Sequence, residues 1–124
     1  MNPAGSAGSL LELWRNGAAE VVVSDATLRE AELVLGGGWV AQVSTPAERD
    51  ELLAELRDLA TRVEAPVLPD LTLRDPGDRR LVEAAVAGGA ACLATADREV
   101  LRQRGYGSVE FLTAHEVLDR LQRR

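Results

Sequence analysis

Asp75-Pro76-Gly77-Asp78 is the most informative stretch of this sequence for the fold. A second stretch, Thr95-Ala96-Asp97-Arg98-Glu99, follows further along the chain. The first stretch opens an amphipathic segment that predicts a helix, and the second closes an apolar run at residues 91–94 that predicts a strand. Carboxylates at strand ends and helix starts converge on one rim of a parallel sheet, where open α/β folds bind their ligands. Because gathered carboxylates repel one another unless a divalent cation lies between them, the pattern predicts a metal site.

Helices and strands are predicted to alternate on both sides of these stretches. The predicted strands are residues 21–23, 91–94 and 109–112. The first three predicted helices are residues 10–16, a helix capped by Ser24 or Asp25 that runs to Leu35, and a helix from the capping box at Thr45 to about Arg62. The next is capped by Asp78 and stops at Gly88. A short helix begins at Asp97, and a C-terminal helix follows the capping box at Thr113. Residues 65–73 are expected to be extended or looped, and residues 105–107 to form a turn. Short, uniformly apolar strands between helices are typical of a parallel sheet covered on both faces.

Composition is that of one ordinary globular domain. The 124 residues are 46% hydrophobic and 27% charged, and no apolar run approaches the roughly 18 residues that cross a bilayer. The N-terminus has neither a positive region nor a long apolar region, so it does not read as a secretory signal. The single cysteine, Cys92, cannot form an internal disulfide and is expected to be a small core residue. We therefore expect a single domain over residues 1–124, a cytoplasmic location and no membrane contact.

The residue types that are missing exclude several kinds of chemistry. All 14 basic residues are arginine, so a phosphate-binding loop with its lysine and Schiff-base catalysis are both excluded. One histidine and one cysteine cannot build a Cys/His zinc site. The net charge of −6 argues against nucleic-acid binding, although bound divalent ions would offset part of it. Several arginines lie near the acidic motifs, either as a binding surface or as solvated helix faces paired to glutamates: Arg74, Arg79, Arg80, Arg98, Arg102 and Arg104.

Four stretches together resemble the PIN-domain superfamily. They are residues 21–24 with the helix that carries Glu30, residues 74–78, residues 88–99, and residues 109–113 before the last helix. The group that this chain resembles most is the bacterial PIN proteins described as toxin components of toxin–antitoxin pairs. The resemblance implies a three-layer α/β/α fold with a short parallel sheet, and a ribonuclease whose acidic pocket holds Mg²⁺ or Mn²⁺. It also implies an RNA substrate, a small antitoxin as partner, and a homodimer.

The resemblance assigns roles to particular acids. Glu30, Asp78 and Asp97 match the family's principal acids, and Asp75 and Glu99 match secondary acids that are often present. The candidate catalytic residues are therefore Glu30, Asp75, Asp78 and Asp97, and the candidate metal ligands are Glu30, Asp78, Asp97 and Glu99. Thr95 would orient a carboxylate or a metal-bound water. Each acid also has a simpler interpretation, because acids are common as helix caps, in first helical turns and on helix surfaces.

One part of the family pattern is not found in the sequence. Family members open with a strand and an Asp-Thr-Asn-type motif that supplies the first catalytic carboxylate, and that strand lies centrally, between the counterparts of residues 21–23 and 92–94. The chain is therefore expected to be an N-terminally truncated PIN-like domain. Either the start site is assigned too late, or the product is truncated and is inactive or poorly folded.

Two rival functions stay open at this stage. The chain could keep the PIN shape without catalysis and serve only to bind a protein such as an antitoxin. It could also be a small flavodoxin-like ligand binder, although residues 24–27 make a poor phosphate loop. His115 is expected to be exposed and inert, and Trp14 and Trp39 to pack against the body of the domain.

Overall fold

The structure, a computed structural model, describes residues 6–35 and 45–123. Trp39, whose packing the sequence predicts, lies outside the described residues. No helix in the described part of the chain is long and apolar enough to span a bilayer.

Helices and short strands alternate through the described residues, as the sequence predicts. In chain order they are α1 (Ser6–Arg15), β1 (Val22–Val23), α2 (Asp25–Leu35), α3 (Pro46–Leu59), β2 (Thr61–Arg62), α4 (Pro76–Ala87), β3 (Cys92–Ala94), α5 (Arg98–Gln103), β4 (Gly105–Tyr106), β5 (Val109–Leu112) and α6 (Ala114–Gln122). Residues 63–75, between β2 and α4, form no regular element.

The described strands form two separate small sheets. β1 pairs in parallel with β2, with Val22 opposite Thr61. β3 pairs in parallel with β5, with Leu93 opposite Phe111, and β4 pairs with the other side of β5. That last pairing is antiparallel, with Tyr106 opposite Val109, so the expected purely parallel sheet is mixed at this edge.

Helices lie on both faces of the sheet that contains β3 and β5, which agrees with the three-layer α/β/α class. On one face α4 contacts β1, β3 and β5 and packs beside α2. On the other face α6 contacts β3 and β5 and packs against α1. Side chains on β5 alternate accordingly: Phe111 is buried in the cluster that includes Val82 of α4, and Glu110 binds Arg120 of α6.

Two hydrophobic clusters hold these layers together. The larger one joins α4, α5 and β5 through buried residues, and includes Leu71 and Leu73 from the irregular segment before α4. The smaller one centres on Trp14 of α1 and Leu52 of α3, which confirms that Trp14 packs against the body of the domain. Cys92 is half-buried in β3 and His115 is exposed at the start of α6.

Two predicted helix boundaries were wrong. The helix expected to run to about Arg62 ends at Leu59, because Thr61 and Arg62 pair with β1 as strand β2. Asp78 is not the cap of α4: Asp75 is, and Asp78 lies three residues further on. Pro76 explains the difference, since proline is favoured at the first helical position and the residue before it is then the cap.

Two smaller predictions also need correction. Helix α1 spans Ser6–Arg15 and so begins four residues before the predicted start at residue 10. The predicted turn at residues 105–107 is partly strand, because Gly105 and Tyr106 form β4 and the turn follows at residues 107–108. Gly107 takes a φ of +58°, which is the left-handed conformation that such a turn requires.

A candidate acidic site at the carboxyl ends of the strands

Asp75 and Asp78 are held together by the first turn of α4. Asp75 is the N-cap, and its Oδ2 accepts a hydrogen bond of 2.9 Å from the backbone N–H of Asp78. Pro76 at the first helical position fixes the backbone there, and its missing N–H leaves no donor unsatisfied. Local sequence therefore determines that both carboxylates lie at the start of this helix.

Asp97 is placed by β3 and α5. It caps α5, and its Oδ1 accepts from the N–H groups of Glu99 at 2.8 Å and Val100 at 3.3 Å. Thr95 positions the residue from the other side, because its Oγ1 accepts from the backbone N–H of Asp97 at 3.0 Å. The N–H of Thr95 in turn donates to the carbonyl of Leu112 in β5 at 2.9 Å. The sheet, the threonine and the helix cap thus fix Asp97 at the end of β3.

The ionisation of Asp78 shows that acids from separate elements converge. Its pKa is raised, first by burial and then by the negative charges of Asp75 and Asp97. A hydrogen bond that it shares with Asp97 and the charge of Glu99 raise the pKa further. Residues of α4 and of the segment after β3 are therefore close enough to repel each other, as the sequence analysis predicts for one rim of the sheet.

Glu30 reaches the same place from α2. Its Oε1 lies 3.1 Å from the position that a Cβ on Gly77 would occupy, and Oδ2 of Asp75 lies 3.0 Å from that position. Gly77 therefore leaves room for two carboxylates beside the first turn of α4. A side chain at residue 77 would displace one of them, which gives the glycine a role that the turn-like Pro-Gly sequence alone did not reveal.

The donor chemistry of this cluster suits a hard divalent cation. Mg²⁺ and Mn²⁺ prefer carboxylate oxygens, and all five acids supply them: Glu30, Asp75, Asp78, Asp97 and Glu99. In the described residues, however, no group of three His, Cys, Asp or Glu side chains is arranged so that it could hold a metal ion. A cation would relieve the repulsion that raises the pKa of Asp78. The residues therefore fit the ion in their chemistry, although their arrangement does not form a complete set of ligands.

Two of the arginines near the motifs have structural roles. Arg79 donates to the backbone carbonyls of Leu71 at 2.7 Å, Leu73 at 3.1 Å and Leu68 at 3.3 Å, which ties the irregular segment to α4. Arg80 pairs with Glu83 at 2.9 Å. The sequence analysis did not single out Glu83, a charged residue on the buried face of α4 that is only 2% exposed.

An apolar cleft borders the acidic cluster without including any of its acids. Its volume is about 560 Å³, and it lies between Val21, just before β1, and Ala94 at the end of β3. α1 contributes Leu11 and Trp14 to its wall, and Thr95 connects it to the segment that carries Asp97. The cleft thus lies between the two sheets, and β1 and β3 each have a partner on only one side in the described residues.

The chain is thus an α/β/α protein with a cluster of acids beside its short strands. It belongs to the PIN-domain family, since the family model described as "PIN domain" matches residues 1–99. All five acids lie inside the matched part. Neither the curated proteins nor the solved structures gave a match. Family membership indicates a nuclease-type function, and the substrate and biological role are taken up as proposals.

Proposed function

We propose that this chain is a Mg²⁺- or Mn²⁺-dependent endoribonuclease, and the toxin component of a type II toxin–antitoxin pair that acts in the bacterial cytoplasm. The observation that carries the proposal is that acids from separate elements meet beside the first turn of α4. Oε1 of Glu30 and Oδ2 of Asp75 both lie against Gly77, and Asp97 and Glu99 lie close enough to Asp78 to raise its pKa. Carboxylates that are kept close despite their repulsion are typical of sites that bind a cation. Membership of the PIN-domain family supports the nuclease assignment.

The proposed roles follow from which carboxylate oxygens remain available. Glu30, Asp78, Asp97 and Glu99 would hold the metal, which when bound activates a water and stabilises charge on the scissile phosphate. The helix cap uses only Oδ1 of Asp97, and the hydrogen bond that Asp97 shares with Asp78 would give way to the metal. Asp75 gives Oδ2 to the N–H of Asp78 and contributes negative charge beside it. Thr95 holds the backbone of Asp97 in place.

The proposal includes a further strand, with the family's first carboxylate, that would complete the sheet. The resemblance puts this strand between β1 and β3, and the division of the described sheet at that position supports the assignment. α4 contacts both β1 and β3, so one helix already covers both sides of the interval. The apolar lining of the cleft suits a strand buried on both faces. An in-frame stop codon close upstream, with no apolar segment before Met1, would contradict this part of the proposal.

RNA cleavage with and without EDTA tests the activity. Asp78→Asn and Asp97→Asn should each lower metal-dependent cleavage on the order of a hundredfold or more, because each removes an anionic ligand. Asp58→Asn is the matched control, since Asp58 is exposed on α3 and outside the acidic cluster. Undiminished cleavage by both cluster variants would show that the site is assigned wrongly.

A second candidate function is a protein-binding module without catalysis, whose partner is the antitoxin. The observation in its favour is that no three acids in the described residues are arranged to hold a metal ion. Titration with Mn²⁺ separates the two functions, because binding that is lost in Asp78→Asn argues for the nuclease. The antitoxin and the homodimer are partners that the resemblance implies. Co-purification with the product of a neighbouring gene tests the antitoxin, and size-exclusion chromatography tests the homodimer.

A further inference from the structure

Most arginines in the described residues already have a partner. Arg79 binds backbone carbonyls, and others pair with carboxylates at distances such as 2.7 Å for Arg15–Glu55 and 2.6 Å for Arg120–Glu110. The remaining ion pairs are Arg57–Glu32, Arg62–Asp25, Arg80–Glu83 and Arg123–Asp119. These side chains stabilise local structure and are not available to a ligand without breaking a contact.

Five arginines in the described residues make no such contact: Arg29, Arg74, Arg98, Arg102 and Arg104. Arg29, Arg74 and Arg98 are the ones directly next to a principal or capping acid of the cluster. All three are exposed, and their side chains make no ion pair or hydrogen bond within residues 6–35 and 45–123. Each one is adjacent to an acid of the cluster: Arg29 precedes Glu30, Arg74 precedes Asp75, and Arg98 follows Asp97. Consecutive Cα atoms are about 3.8 Å apart, so the three backbones that deliver the acids also deliver three free guanidinium groups.

Backbone geometry explains why these arginines do not neutralise their neighbours. Consecutive residues on a helix do not face each other, which separates Arg29 from Glu30. Asp75 has extended backbone, in which successive side chains point to opposite sides, so its carboxylate and the Arg74 side chain diverge. The carboxylate of Asp97 accepts from the N–H groups of Glu99 and Val100, and the exposed Arg98 makes no ion pair with it. The cations therefore border the cluster and stay solvated.

Free guanidinium groups beside a metal-binding cluster suit a phosphate chain. Arginine binds phosphate through two parallel hydrogen bonds, and the N-terminus of α4 adds positive potential at the same edge. Three separate cations around one acidic site match successive phosphates of one strand better than they match a single phosphate. We propose that Arg29, Arg74 and Arg98 hold the backbone phosphates of a single-stranded RNA on either side of the bond to be cleaved. This inference rests on the proposed ribonuclease function and identifies the residues that position its substrate.

Salt dependence of RNA binding tests the inference without relying on catalysis. The probe is a fluorescent single-stranded oligoribonucleotide, with Ca²⁺ present so that a cation occupies the site without supporting rapid cleavage. Each phosphate contact contributes about −0.7 to the slope of log K against log salt. Arg29→Gln, Arg74→Gln and Arg98→Gln should each make the slope shallower by about 0.7 and weaken binding about threefold to tenfold. The corresponding Arg→Lys variants keep the charge and should restore the slope.

Matched controls distinguish phosphate contacts from a change in total charge. Arg57→Gln and Arg123→Gln remove the same charge from ion-paired positions outside the site and should leave the slope unchanged. In cleavage assays the three site variants should raise KM more than they lower kcat, because they hold phosphates outside the reacting centre. If wild-type protein cleaves RNA but the site variants bind with unchanged slope and KM, the inference is wrong and the nuclease function stands. If wild-type protein neither binds nor cleaves RNA, both fail.

Discussion

Asp78→Asn should stabilise the protein near neutral pH, because it removes one member of a group of mutually repelling acids. The pKa of Asp78 in the folded protein lies above its ordinary value of 3.8, through burial and then through Asp75, Asp97 and Glu99. A group with a raised pKa binds its proton more tightly in the folded state than in the unfolded state. Its ionisation therefore lowers stability as pH rises above the ordinary carboxyl range, and this loss is absent below about pH 3.

The size of the effect follows from Coulomb's law and from exposure. Two unit charges about 4 Å apart repel by about 1 kcal/mol in water and by about 4 kcal/mol at an effective dielectric constant of about 20. Asp78 is only partly buried, so solvent screening favours the lower value for each neighbour. Asparagine also loses an attraction of about 0.3–1 kcal/mol to the N-terminus of α4. We expect a net gain of about 1 kcal/mol near pH 7 and none near pH 3.

Urea denaturation followed by circular dichroism measures this gain, provided that the m-value is the same for both proteins. Asp58→Asn, on the exposed face of α3, is the control for removing one negative charge and should change stability little at either pH. The reasoning is refuted if Asp78→Asn is no more stable than the wild type near neutral pH, or if its advantage persists in acid.

Two further predictions test the packing that positions the site. In Gly88→Ala the new Cβ would clash with Cγ1 of Val22 and lie 2.8 Å from its Cγ2. Thermal denaturation should therefore show that the free energy of unfolding falls by about 1–3 kcal/mol. Adding Val22→Ala should partly reverse this loss, because it removes the clashing methyl groups. Arg80→Gln should destabilise the protein by about 2–3 kcal/mol, because it leaves the buried Glu83 carboxylate without its cation. Glu83→Leu leaves only a half-exposed arginine, so its stability should stay within about 1 kcal/mol of the wild type. Equal losses in these two variants would contradict the assigned burial.

Local chemistry made three helix starts and most strands predictable. Thr45 and Thr113 form capping boxes as expected, and Asp97 caps α5. These motifs lie within four consecutive residues, so the sequence contains everything that determines them. The apolar runs of β3 and β5 were also sufficient to identify both strands, and the two pair in parallel, as expected for the sheet.

Tertiary contacts decided what the sequence could not show. Thr61 and Arg62 are exposed and polar, and they form a strand only because they pair with Val22 and Val23, far away in the chain. Gly105 and Tyr106 likewise become β4 by pairing with β5. Sequence pattern alone gave no signal for either pairing.

In the candidate site, too, some features could be predicted from local sequence and others depend on tertiary packing. The order of strands and helices was enough to predict that acids would share one rim, and the charges that raise the pKa of Asp78 agree with that prediction. Which residue caps α4 was not predictable from acids alone, since Asp75 and Asp78 both suit a cap. The contact of Glu30 with Gly77 depends on how α2 packs beside α4, which no local motif records. The metal and its ligands remain predictions.

Calorimetric titration with Mn²⁺ near neutral pH tests the central claim most directly. If Glu30, Asp78, Asp97 and Glu99 hold one divalent ion, wild-type protein and Asp58→Asn should release or absorb heat in a saturable titration, and Asp78→Asn and Asp97→Asn should not. Titration curves that are the same for all four proteins would contradict the account, because the gathered acids would then have no part in binding a cation.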